Sequence, residues 1–240
     1  MLHRRLAVLT LLAVLLAGPV FAETLPLPPN LVGAASDAGE ALLVEAEARE
    51  AYFPLADNFV TQKTQSFCGV ASMTMVFNAM AIPAPAVPEY APFTTFTQDD
   101  VLDEKTETVI PRATIETMGM TLDQLGAAIA TKPVDAAVRH AGDTSLDAFR
   151  TEARDYLGKR DQFVIVNYLR KAMGQETGGH ISPLAAYDAE TDRFLILDVA
   201  RYKYPPVWVT AADLFNAMNT PDKDNGGKRR GYVLMKKKDN

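Results

Sequence analysis

Cys68 is the only cysteine in the 240-residue chain, and it stands where a thiol becomes reactive. The stretch Gln62 to Ala79, QKTQSFCGVASMTMVFNA, places it after a polar loop and at the head of an apolar run of helical spacing. A helix N-terminus favours the thiolate over the thiol. Gln62, six residues upstream, offers an amide N–H for the oxyanion of an acyl-transfer intermediate. A cysteine nucleophile also needs a base, and the base needs a group that orients it.

Beyond His3 the chain has two histidines, His140 and His180. His180 follows Gly178-Gly179 and opens a segment of strand character. If residues 180–199 form an antiparallel hairpin, a loop centred on Ala189 sets Asp198 opposite His180, at roughly 5.5 Å between Cβ atoms. A loop centred on Glu190 makes the two diagonal neighbours on one face, at roughly 7–8 Å. Both registers keep them within reach. Asp198 follows Phe194-Leu195-Ile196-Leu197, a poor setting for a carboxylate without a partner. His140, in Arg139-His140-Ala141-Gly142, has no evident carboxylate or strand to aim it and reads as a surface histidine.

The elements that must hold these residues are legible in outline. Asp37 and Glu40 read as the start of a first helix, with Leu42, Leu43, Ala46 and Phe53 on its apolar stripe and its end near Pro54. Phe67 to Ile82 is a second helix, stopped by a proline-rich connection. Thr121-Leu122-Asp123-Gln124 is a capping box opening a third, and Ser145 to Leu157 is amphipathic. The second half turns to strands: Phe163 to Val166, His180 to Tyr187, Arg193 to Val199 and Gly231 to Met235. Val134 to Val138 is a further short strand and Thr210 to Met218 a short helix. The order predicts an α+β domain, a helical N-terminal half packed on a mainly antiparallel sheet.

Composition sets the class and the address. Hydrophobic content of 48% and charged content of 22% are ordinary for a globular chain, which excludes disorder and a multi-span membrane protein. Met1 to Arg5 is a positive n-region, Leu6 to Ala17 a short apolar run, and Val20-Phe21-Ala22 a cleavage site. Residues 1–22 therefore read as a signal peptide cut after Ala22, residues 23–240 as one catalytic domain, and the destination as the periplasm. Cleavage removes two arginines, leaving 22 Lys and Arg against 30 Asp and Glu, a net charge of −8. That balance argues against nucleic acid and against a membrane surface as partner. One unpaired cysteine in an oxidising compartment is either buried and inert or kept for its reactivity.

Residues 36 to 236 resemble the phytochelatin synthase family, glutathione γ-glutamylcysteinyltransferases of the papain-like cysteine peptidase clan. The segments that carry the likeness are EALLVEAEAREAYFPLADNFVTQ, FCGVASMTMVFNAM, GGHISPLAAYDAETDRFLILDVARYKYPPVWV and RRGYVLM. The resemblance implies a papain-like fold, a triad of Cys68, His180 and Asp198, and Gln62 as oxyanion donor. It implies attack on the Cys–Gly amide of glutathione, loss of glycine, and transfer of γ-glutamylcysteine from a thioester to a second glutathione or to water. The short bacterial form, which this chain resembles, is associated more with hydrolysis than with polymer synthesis. The likeness also suggests a homodimer. No cofactor is obligatory and no metal site is expected; cadmium or zinc would arrive as a glutathione thiolate complex, a form of the substrate. Arg230, with Arg170 and Gly179, are the candidates for holding the substrate's carboxylates. Two other readings are a papain-like peptidase for another small γ-glutamyl peptide, and a non-catalytic protein binding thiol peptides or metal thiolates.

Overall fold

The computed structural model describes residues 24–238. The leader read at 1–22 lies outside the described residues. Among them are eight α-helices and seven strands, the strands forming one antiparallel sheet. Its order is β1 (Val32–Gly33), β6 (Val207–Thr210), β5 (Arg193–Ile196), β4 (Gly179–Asp188), β3 (Gln162–Leu169), β7 (Gly231–Lys237) and β2 (Val134–His140). The α+β expectation holds at this level.

The centre of the sheet explains the depth of the site. Strands β3 and β4 are buried along almost their whole length, and Phe163, Val164, Ile165 and Val166 are continuous core. Strands covered on both faces lose the polar alternation of a half-exposed strand. Helix α3 (Cys68–Ala79) packs on β4, while α7 (Leu146–Leu157) and α8 (Ala211–Met218) pack on β3 and on each other. Phe149 of α7 stacks among Phe194, Phe215 and Tyr232, fixing those helices to the strands.

Several helix starts follow from side-chain caps. Thr121 and Gln124 form the expected capping box at α6 (Leu122–Ile129), and Ser145 and Thr210 cap α7 and α8. The first helix differs. Its cap is Ser36, whose Oγ accepts from Gly39 N at 3.1 Å, and α1 (Asp37–Glu45) stops eight residues short of Phe53. The chain leaves the helix so that Ala48 can bridge Tyr187 of β4 through both backbone hydrogen bonds. A separate helix α2 (Tyr52–Asp57) then takes Pro54 in its first turn, where a proline costs no hydrogen bond, and leaves Phe53 exposed. Helices α4 (Glu104–Val109) and α5 (Arg112–Met118) and strand β6 have no counterpart in the sequence reading. Strand β5 ends at Ile196, three residues before the expected Val199.

His140 corrects another expectation. It closes β2, is mostly buried, and its Nε2 lies 2.7 Å from Asp123 Oδ1 while Nδ1 faces the Arg229 carbonyl. It therefore ties α6 to the end of the β2–β7 pair and is not a surface residue.

Candidate active site

Cys68 opens α3, and no side chain caps that helix. The first-turn N–H groups of a helix lack intrahelical partners, so an uncapped start presents donors and positive potential. The Gly69 N–H is one of these donors, and it helps to hold the Cys68 thiol below its usual range. The thiol is buried, 8% exposed, and a second tie fixes its backbone: Ser72 Oγ donates to the Cys68 carbonyl at 2.8 Å and approaches Ile181 O at 3.2 Å. Ser72 thus joins the first turn of α3 to the strand that carries His180. Gly69 allows this turn to slide under Met120, whose Sδ would lie 2.9 Å from any Cβ there.

His180 is the second residue of β4 and stands beside Cys68, where its charge favours the thiolate. Its Nε2 lies 2.8 Å from Asp198 Oδ1, which leaves Nδ1 for the sulfur. Near the turn the β4–β5 pairs are Asp188 with Arg193, Tyr187 with Phe194 and Ala186 with Leu195. Beyond a bulge between Leu184 and Ala186 the register slips by one, to Leu184 with Ile196. That slip centres the outer part of the hairpin on Glu190, the diagonal register; the register centred on Ala189 does not occur. A one-residue slip exchanges the faces of a strand, so the bulge is what brings Asp198 to the His180 side.

Asp198 is fully buried and well supplied with donors. Oδ1 accepts from His180 Nε2, from Arg170 Nη2 at 2.9 Å and from Ala200 N at 2.9 Å. Arg170 Nη1 sits 2.7 Å from Oδ2. Arg170 therefore lies behind the triad, 3% exposed, with its guanidinium committed to Asp198 and Gln175.

The electrostatics follow from this packing. Burial opposes a charge on Cys68, but the hydrogen bond and charge of His180, with N–H donors from Ile181 and Gly69, outweigh it and hold the thiol below its usual range. Burial likewise opposes the imidazolium, yet Asp198 raises His180 above its ordinary value. Asp198 itself is driven far below the usual carboxylate range, burial being overcome by His180 and Arg170. Both shifts act in the same sense, favouring a thiolate beside an imidazolium.

Two lobes meet at His180, Gly179 and Gln65. The first, of about 180 Å³, reaches Cys68, Asn167, Asp222 and Arg230. Arg230 donates through Nη1 to the Pro221 carbonyl at 2.6 Å, and Nη2 lies 3.3 Å from Asp222 Oδ1. Its Nε is buried without a protein partner. A Cβ at residue 179 would come within 3.3 Å of this guanidinium, so Gly179 keeps it open to the lobe. The second lobe, about 600 Å³ and wider, is bounded by Gln62, Arg170, Glu176, Tyr202 and Lys203. Gln62 is buried there. Its Nε2 donates to Thr64 O at 2.7 Å and to Tyr202 Oη at 3.1 Å.

The chain matches the family described as phytochelatin synthase over residues 22–232. The chain belongs to the phytochelatin synthase family. Among curated relatives, glutathione gamma-glutamylcysteinyltransferase 3 of Lotus japonicus is 33% identical over 221 residues, 91% of this chain and 44% of that protein. Its paralogue numbered 1 in the same plant is 35% identical over 90% of this chain and 42% of its own length. The glutathione gamma-glutamylcysteinyltransferase of Schizosaccharomyces pombe is 29% identical, covering 87% of this chain and 50% of its own. The chain thus spans half or less of these relatives' length.

For this phytochelatin synthase family member, the sequence reading had named Cys68, His180 and Asp198, which the structure brings to one point, and Arg230 and Gly179, which it sets beside them. It missed Ser182, whose Oγ lies 3.0 Å from His180 Nε2, although two residues along a strand share a face. It also missed Asp222 and Ser72, which carry no local signal. Among the described residues no group of three His, Cys, Asp or Glu side chains is arranged to hold a metal ion, and no helix is long and apolar enough to cross a membrane.

Proposed function

We propose that the protein is an exported, papain-like acyltransferase and hydrolase that cleaves the Cys–Gly amide of glutathione through a thioester on Cys68. The observation that carries this reading is the buried pair of Cys68 and His180, fixed by Asp198 at 2.8 Å and set between two lobes. An amide cleaved by such a thiolate must lie across it, acyl part on one side and leaving amine on the other. The first lobe suits the γ-glutamyl end. Arg230, with an unpartnered Nε, faces an α-carboxylate, and Asp222 beside it faces an α-ammonium.

In this account the thiolate adds to the carbonyl carbon of the cysteinyl residue. The oxyanion is met by the Cys68 backbone N–H at the start of α3 and by the Gln62 amide. His180 gives its proton to the departing glycine nitrogen, and the C–N bond breaks to leave γ-glutamylcysteine on the sulfur. Water or the α-amine of a second glutathione then enters from the second lobe, loses its proton to His180, and releases the acyl group. A soft metal ion enters as part of a glutathione thiolate, as substrate. The names of the relatives, glutathione gamma-glutamylcysteinyltransferases, support the same donor.

The test is product analysis of residues 23–240 incubated with glutathione. Free glycine and γ-glutamylcysteine should appear, and the Cys68→Ser variant should form neither. Glycine release that persists in Cys68→Ser, or none from the native protein, contradicts the proposal. Adding cadmium and following (γ-Glu-Cys)2-Gly reports the share transferred to a second glutathione.

A further inference from the structure

Arg170 follows the last residue of β3, and its side chain turns into the protein. A buried arginine persists only where its charge and donors are matched. Nη2 donates to Asp198 Oδ1 at 2.9 Å, Nη1 lies 2.7 Å from Oδ2, and Nη1 also donates to Gln175 Oε1 at 2.8 Å. The Tyr204 ring covers the guanidinium, 5.2 Å from ring centre to Cζ. The same residue's backbone shapes the loop that leads to His180. Arg170 N–H donates to Gly178 O at 3.0 Å, and its carbonyl accepts from Gln175 N at 3.2 Å. Tyr204 secures that loop from the other side, its hydroxyl accepting from Glu176 N at 2.8 Å. One residue therefore sets the spacing between the segment carrying Gly179 and His180 and the segment carrying Asp198.

We infer that Arg170 is a positioning residue for the Cys68–His180 pair, holding Asp198 by a hydrogen bond to Oδ1 and an ion-pair contact to Oδ2 and placing a buried positive charge behind the triad. This rests on the reading of Cys68 as the nucleophile. The titratable groups around the guanidinium are Asp198, His180, Cys68, Tyr168, Tyr202 and Tyr204, with the Glu176–Lys203 pair on the loop above. Its charge favours the thiolate of Cys68 and the carboxylate of Asp198 and opposes the imidazolium of His180. Taking the charge away moves both ionisations of the pair to higher pH. Losing the fork lets Asp198 and His180 drift, and an error of about 1 Å in such a geometry can cost about 100-fold in rate.

The test is the pH dependence of Cys68 alkylation by iodoacetamide, which requires no turnover and so stands apart from the identity of the substrate. In Arg170→Met the midpoint should rise, on the order of one pH unit, and glycine release at neutral pH should fall by up to about 100-fold. Arg170→Lys keeps the charge and loses the fork, so its midpoint should stay near the native one while turnover falls. A Met variant that titrates like the native protein overturns the role of the charge. Near-UV circular dichroism checks folding; should the Met variant not fold, a Lys variant with native turnover overturns the role of the fork. Shifted alkylation in a protein that never releases glycine would count against glutathione as substrate and leave the role of Arg170 standing.

Discussion

His180 Nε2 and Asp198 Oδ1 lie 2.8 Å apart, although the two residues are not a cross-strand pair and Asp198 lies beyond the end of β5. The bulge between Leu184 and Ala186 makes the meeting possible by moving Asp198 to the His180 face. Arg170 and the Ala200 N–H then hold the carboxylate in place. The hydrogen bond is thus a product of sheet irregularity as much as of residue type.

Activity should follow a bell in pH. The acid limb reports Cys68, held below the usual thiol value of 9.0, and the alkaline limb reports His180, held above 6.5. The working form, thiolate with imidazolium, is lost by protonation of sulfur on one side and deprotonation of the ring on the other. Asp198→Asn removes the charge that raises His180, so the alkaline limb moves down, the acid limb moves up and the bell narrows. The maximum should fall by a factor on the order of 10²–10⁴, measured as glycine release across pH. Arg170→Met shifts both limbs the same way, which separates the two variants.

Gln62 meets a competitor before it meets substrate. Its amide nitrogen is fixed by the Thr64 carbonyl, since a turned amide would set oxygen against oxygen, and its second hydrogen faces Tyr202 Oη. To serve the oxyanion, the amide must let the phenol go. Tyr202→Phe should therefore leave kcat at or above the native level. Gln62→Ala should lower kcat by about 10²–10³, about 2.7–4 kcal/mol, with KM little changed. A Phe variant as impaired as Gln62→Ala would give the donor's role to the phenol instead.

Arg230 and Asp222 should act on substrate binding. Arg230→Met and Asp222→Asn are each expected to raise KM for glutathione by roughly 10–100-fold, the size of a lost hydrogen bond to a charged group. The alkylation rate of Cys68 should be unaffected. Steady-state kinetics decide; an unchanged KM in both variants places the γ-glutamyl end elsewhere.

What the sequence showed and what it hid have physical reasons. The meeting of Cys68, His180 and Asp198 was readable because a lone cysteine at a helix head, a Gly-Gly-His strand start and an acid after four apolar residues are each locally unusual. The register was open because no local pattern marks the bulge near Ala185. Helices α4 and α5 escaped notice because they are six and seven residues long and carry little apolar periodicity. Strand β6 was hidden by Pro205-Pro206 before it. His140 was misjudged because its partner, Asp123, lies 17 residues away on another element. Arg170 was noticed for its charge, but only the fold shows that the charge is spent on Asp198.

The central claim is a covalent acyl-enzyme at Cys68. Residues 23–240 mixed with glutathione, quenched in acid within a short time and analysed by intact-mass and peptide-mass spectrometry test it most directly. The account predicts a mass gain of one γ-glutamylcysteinyl group, mapped to the peptide containing Cys68, with one glycine released for each adduct. Glycine release with no adduct on Cys68 at any quench time, or an adduct on another residue, would contradict it.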